Sequence, residues 1–118
     1  MKYLVTGCAG FIGSHVIEEL TRRGHDVKGL DNFSTGHHSN IEPFRSDFEL
    51  LEADIRDPDA CAHACKGVDH VIHLAALGSV PRSIEDPANT HANNATGTLN
   101  MLVAARDAAV TSFVFAAS

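Results

Sequence analysis

Short apolar runs alternate with amphipathic stretches along the whole chain. Residues 3–5, Tyr-Leu-Val, form a β-prone run that ends on Thr6 and Gly7. Residues 11–23 carry Ile12, Val16 and Leu20 at roughly helical spacing, and Gly24 stops the pattern. Residues 27–30 predict a second strand; the polar run 31–40, DNFSTGHHSN, predicts a loop, followed by a helical turn over 41–45. Residues 48–52 predict a third strand. Asp57 and Pro58 then open a helix that runs to Cys65, with Asp57 as N-cap and Pro58 in the first helical position, and Gly67 closes it. Residues 68–74, with Val71, Ile72 and Leu74, predict a fourth strand. Residues 75–85 read as a loop broken by Gly78 and Pro81. Asp86-Pro87 starts a long helix over 86–108, with Leu99, Leu102 and Val103 as its buried stripe, and residues 113–116 predict a fifth strand.

Strands alternating with helices predict an α/β fold, a parallel sheet joined by right-handed crossover helices. The strands are apolar at successive positions, as expected where both sheet faces are covered. The expected architecture is therefore a doubly wound (Rossmann) sheet of five strands in the order 3-2-1-4-5. A ligand would bind at the carboxyl ends of strands 1 and 4, where the winding reverses.

Composition narrows the function classes. At 118 residues the chain is one domain. No stretch reaches the ~18 consecutive apolar residues of a membrane span. A formal charge of −6 argues against a nucleic-acid binder. Three cysteines, Cys8, Cys61 and Cys65, make no disulfide framework and point to a reducing, cytoplasmic setting. Cys61 and Cys65 share a helix face near His63, but zinc needs four ligands and no second cluster accompanies them, so no metal is expected. The eight histidines are scattered.

The informative segment is residues 6–15, Thr-Gly-Cys-Ala-Gly-Phe-Ile-Gly-Ser-His, between strand 1 and the first helix. Gly7 permits a sharp turn out of the strand, Gly10 leaves room where a pyrophosphate would approach the backbone, and Gly13 lets the helix pack on the sheet. Free amides and partial positive charge at the helix start suit a phosphate. Asp31, at the end of strand 2, is placed to hydrogen-bond a ribose 2′-hydroxyl and to repel a 2′-phosphate, which favours NAD over NADP. Asp54, after strand 3, is placed to face the adenine amino group, and the small residues of Leu74-Ala75-Ala76 leave room for the cofactor to cross the sheet edge.

Together these elements resemble the extended short-chain dehydrogenase/reductase family, in its NAD-dependent nucleotide-sugar epimerase and dehydratase branch. The resemblance also includes Asp31-Asn32-Phe33-Ser34-Thr35-Gly36, Asp54-Ile55-Arg56-Asp57 and His73-Leu74-Ala75-Ala76. Asn94 with Gly97-Thr98-Leu99-Asn100, and the stretch 113–118, extend it to the end of the chain. Residues 77–83 are most similar to the 4-epimerases acting on UDP-N-acetylglucosamine and UDP-glucose.

The resemblance implies that NAD lies across Gly7, Gly10, Phe11, Ile12 and Gly13, with its adenosine ribose on Asp31 and Asn32. Ser34, Thr35 and Gly36 would wrap the adenosine phosphate side, and Asp54 and Ile55 would flank adenine. Leu74, Ala75 and Ala76 would line the cofactor path, with Asn94 below it on the long helix. Gly78 and Ser79 would border a nucleotide-sugar pocket, and Ser118 would be the catalytic-site hydroxyl that hydrogen-bonds the reacting sugar. In the family, hydride leaves sugar C4 and returns through a 4-keto intermediate, while a tyrosine paired with a lysine four residues later moves the proton.

The single tyrosine here is Tyr3, and Gly7 stands four residues after it. The chain thus reads as the N-terminal part of an epimerase cut after strand 5, without epimerisation of its own. Two alternatives stay open: a non-catalytic, freestanding dinucleotide-binding module, and a nucleotide-sugar 4,6-dehydratase. An exposed edge at strand 5, together with the resemblance of the long helix to the family's dimer-forming helix, implies a homo-oligomer.

Overall fold

The structure, a computed structural model, describes residues 1–77 and 80–116. Five parallel strands form one sheet: β1 (Lys2–Thr6), β2 (Asp26–Asp31), β3 (Glu49–Glu52), β4 (His70–His73) and β5 (Ser112–Phe115). Their order is β3-β2-β1-β4-β5, as the alternation of elements predicts. The helices are α1 (Phe11–Arg22), α2 (Pro58–Cys65), α3 (Val80–Glu85), α4 (Pro87–His91) and α5 (Gly97–Asp107), with two 3-10 turns at His38–Asn40 and Glu42–Asp47.

Successive side chains of a strand point to opposite faces, and here each face is apolar. Leu4, Leu30 and Val71 pack against Cys61, Cys65, Met101 and Ala104 of α2 and α5. Val5 and Val27 pack on the other face against Ile17 of α1 and against Ile41, Phe44 and Phe48. Asp57 caps α2 as expected, its side chain accepting the Asp59 amide at 3.0 Å. At the other end of α2, the buried Lys28 donates to the carbonyls of Ala64 (3.3 Å) and Lys66 (3.0 Å). The three thiols are buried, and burial is the main cause pushing Cys8 and Cys61 up to about 12 and Cys65 up to about 11.

Four expectations are corrected. The stretch 75–85 is not all loop, because α3 occupies Val80–Glu85. Pro81 falls in its first turn, where the missing N–H has no helical partner to lose. The helix expected over 86–108 divides into α4, a π-helical turn at Ala92–Thr96, and α5. The predicted stripe of Leu99, Leu102 and Val103 faces outward, at 58, 46 and 38% exposure; Gly97, Met101, Ala104 and Ala105 are buried instead. Close approach fixes one point of that inward face: a Cβ on Gly97 would lie 2.5 Å from Ile55 Cδ1, so only glycine fits there, and Met101 fills the core further along. Ile12, read with the apolar face of the first helix, is likewise exposed, and Gly13, Ser14 and Ile17 are the buried positions of α1.

Candidate functional site

The winding reverses between β1 and β4, and the chain leaving β1 there turns through Gly7 at φ +72°. The site of ligand binding in open parallel sheets is this crevice. A Cβ on Gly7 would lie 2.9 Å from the Ala75 amide nitrogen, and one on Gly13 only 2.0 Å from the Gly7 carbonyl oxygen. Those two glycines are required by the fold itself. Gly10 differs: its φ is −78°, and a Cβ would meet only the Gly7 oxygen, at 3.3 Å. It is the N-cap of α1 and provides no side-chain cap. The amides of Phe11, Ile12 and Gly13 therefore open the helix without a capping oxygen, at its positive end.

Asp31 ties this loop to the end of β2. Its Oδ2 accepts the Ala9 amide at 2.9 Å and its Oδ1 the Phe33 amide at 2.8 Å. The Ala9 carbonyl in turn accepts from the His37 amide (3.1 Å) and from Asn40 Nδ2 (2.8 Å). Phe33 is held at φ +59°, with its ring stacked 3.8 Å from His38. Gly36 fits because a Cβ there would meet Ala9 Cβ at 2.9 Å and Asp31 Oδ2 at 3.0 Å. Each Asp31 oxygen keeps a further lone pair for a hydroxyl donor.

Beside Asp31 the ends of β2, β3 and β4 enclose a cavity of about 40 Å³, with Ala53, Ile55, Ala75 and Ala76 among its walls. Asn32, Ser34, Thr35, Leu77 and Asn93 line both this cavity and an adjoining one of about 210 Å³, which Arg56, Arg82 and Asn89 complete. Asp54 stands at this rim. Its carboxylate accepts from Arg56 Nη2 (2.6 Å) and Asn32 Nδ2 (3.1 Å), and the hydrogen bonds from Arg56 are the main cause that lowers it to about 2. Arg56 Nη1 reaches on to Asn89 Oδ1 at 3.0 Å.

Asn94 touches the crevice through the backbone. Its Oδ1 accepts the Leu77 amide at 2.7 Å and its Nδ2 donates to the Leu77 carbonyl at 2.9 Å. The residue that lines the cavities is its neighbour Asn93, which the sequence reading missed. The π turn at Ala92–Thr96 adds a residue to the helical register, which no α-helical pattern anticipates. Arg56, Asn89 and the buried pair Thr6 and His73 were also missed as site residues. Gly78, Ser79 and Ser118 lie outside the described residues.

In chemical terms the crevice offers uncapped amides for an anion, a buried carboxylate for a diol and a small-residue slot for a flat ring. Residues 3–118 match the model of the NAD dependent epimerase/dehydratase family. The UDP-glucose 4-epimerase of Lactobacillus helveticus is 38% identical over 120 residues, a match covering 100% of this chain and 36% of that protein. The UDP-glucose-4-epimerase of Stenotrophomonas maltophila, solved with NAD and formylated UDP-arabinopyranose, superposes with a TM-score of 0.92 at 36% identity, over 100% of this chain and 37% of that one. The dTDP-glucose 4,6-dehydratase DesIV of Streptomyces venezuelae, solved with NAD and TYD, gives 0.89 at 34% identity over 96% and 38%. The chain thus spans little more than a third of the length of these relatives.

Proposed function

The chain belongs to the NAD dependent epimerase/dehydratase family, and from that premise we propose that it is the coenzyme-holding part of a nucleotide-sugar 4-epimerase of the UDP-glucose or UDP-N-acetylglucosamine type. The observation that carries the reading is the uncapped start of α1 over Gly10, beside a buried Asp31, at the reversal of the sheet. The amides of Phe11, Ile12 and Gly13 hold the diphosphate, and Gly10 gives it access to the backbone. Asp31 and Asn32 take the adenosine ribose, with Ser34, Thr35 and Gly36 folded over its phosphate side. Asp54 and Ile55 flank adenine. Leu74, Ala75 and Ala76 carry the coenzyme across the sheet edge past Gly7, and Asn94 fixes that path through Leu77. Gly78 and Ser79 border the sugar, and Ser118 bonds its reacting hydroxyl.

When bound, NAD supplies the acceptor and donor of a hydride at sugar C4. In this reading the residues of this chain bind and orient, and proton transfer falls to a tyrosine paired with a lysine, as in the 4-epimerases the sequence resembles. Tyr3 lies at the opposite, amino edge of the sheet, its ring 4.9 Å from that of His25 and 5.0 Å from that of His70. These 118 residues therefore bind coenzyme without epimerising a sugar. The similarity to DesIV supports a second reading, a nucleotide-sugar 4,6-dehydratase with the same coenzyme site.

Calorimetric titration tests the proposal. Saturable uptake of NAD is expected, with NADP binding at least about tenfold more weakly because its 2′-phosphate would face the Asp31 carboxylate. No uptake of NAD, or NADP bound as tightly, overturns it.

A further inference from the structure

Behind the coenzyme crevice lies a buried imidazole that the proposed function leaves without a role. His73 ends β4, is 1% exposed, and sits beside the rings of Phe113 and Phe115 on the neighbouring strand, each 5.9 Å away. Its Nδ1 is 2.6 Å from Thr6 Oγ1 and its Nε2 is 3.0 Å from Thr98 Oγ1.

The two hydroxyls fix the proton on this ring independently. Thr6 Oγ1 accepts the amide of Ala75 and, shared with the Thr6 carbonyl at 3.2 Å, that of Leu74, both at 3.1 Å. A hydroxyl has two acceptor sites and one proton, so Thr6 has only its proton left, and Nδ1 must accept it. Thr98 Oγ1 donates its proton to the Asn94 carbonyl at 2.7 Å. Nε2 must therefore donate to Thr98. Both ends demand a neutral ring with its proton on Nε2. A second proton, on Nδ1, would point at an oxygen with no lone pair free. Burial acts in the same direction, drawing the imidazole down to about 4.

We propose that His73, as the neutral Nε2–H tautomer, is a positioning residue for the coenzyme crevice, registering the end of β1 at the glycine loop, the exit of β4 and the start of α5 against one another. Through Thr6 it holds the amides of Leu74 and Ala75 where the chain passes Gly7, the point at which even a methyl group would come within 2.9 Å of Ala75. Through Thr98 it braces Asn94, whose amide group clamps Leu77. The inference rests on the coenzyme reading above and adds a residue that acts through Thr6 and Thr98.

The test combines spectroscopy and binding on the 118-residue chain. Long-range proton–nitrogen correlation of the His73 ring at neutral pH is expected to show a protonated Nε2 and an unprotonated, hydrogen-bonded Nδ1. An Nδ1–H ring or a doubly protonated ring overturns the proposal, whatever the variants do. Thr98→Val removes the acceptor of Nε2–H with little change of shape; it is expected to weaken NAD binding about tenfold, and Thr98→Ser to restore it. If the wild type binds NAD and Thr98→Val binds it equally well, the positioning role fails alone. If the wild type shows the Nε2–H ring and binds no NAD, the coenzyme reading fails, and this role with it.

Discussion

Gly10 and Gly13 stand three residues apart in one loop, yet the structure gives them different reasons to be glycine. Adding a methyl group to each separates folding from binding. Gly13→Ala gains about 1 kcal/mol of helix propensity, but its Cβ would be placed 2.0 Å from the Gly7 oxygen and 3.0 Å from Cys8 Cα. Both neighbours are backbone, so α1 must move off the loop. Overpacking against rigid neighbours costs about 3 kcal/mol or more, and the clash outweighs the propensity gain. At this chain length that loss lowers Tm by roughly 10 °C. At Gly10 the new Cβ meets a single atom at 3.3 Å, at a backbone angle alanine adopts freely. The fold loses less than about 1 kcal/mol, the cost of a poorer N-cap. The methyl group nevertheless stands over the uncapped amides, and NAD affinity should fall at least tenfold, about 1.4 kcal/mol. Thermal unfolding and calorimetric titration of both variants read the two effects separately. A Gly13→Ala protein as stable as the wild type, or a Gly10→Ala protein that keeps full NAD affinity, refutes the reasoning.

Three further outcomes are expected. The unfolded chain takes up the His73 proton near its ordinary value of 6.5 and the folded chain near 4, so stability declines as pH falls through that window, by up to about 3 kcal/mol, and this contribution flattens below it; an NMR titration showing His73 protonating near its ordinary value contradicts this. Lys28→Met leaves two carbonyls at the end of α2 without their buried donor and should destabilise the chain by about 1–3 kcal/mol in urea unfolding; an unchanged midpoint would show that the ammonium adds nothing. β5 forms a sheet edge with Val114 and Phe115 exposed, so light scattering at roughly tens of micromolar should show self-association that Val114→Lys abolishes; a monomeric wild type rules that out.

The amino-acid order by itself determined what local physics encodes. Short apolar runs marked the five strands, and their alternation with helices announced a doubly wound parallel sheet. Asp57 before Pro58 announced a cap, and the glycine loop followed by an acidic residue at the end of β2 located the crevice. Each of these is written within one strand–helix–strand unit of the chain. Close packing between distant segments decided the rest. Leu99, Leu102 and Val103 form a good apolar stripe, but the face of α5 that turns inward is the one that places Gly97 against Ile55 and Met101 in the core. The π turn that brings Asn93 to the cavities and Asn94 to Leu77 has no periodic signature. His73 joins Thr6, 67 residues away, to Thr98, 25 residues away, and its tautomer follows from how those two hydroxyls are already engaged. Hydrogen-bond partners so far apart in the chain are chosen by the packing of the sheet against its helices, which only the tertiary structure displays.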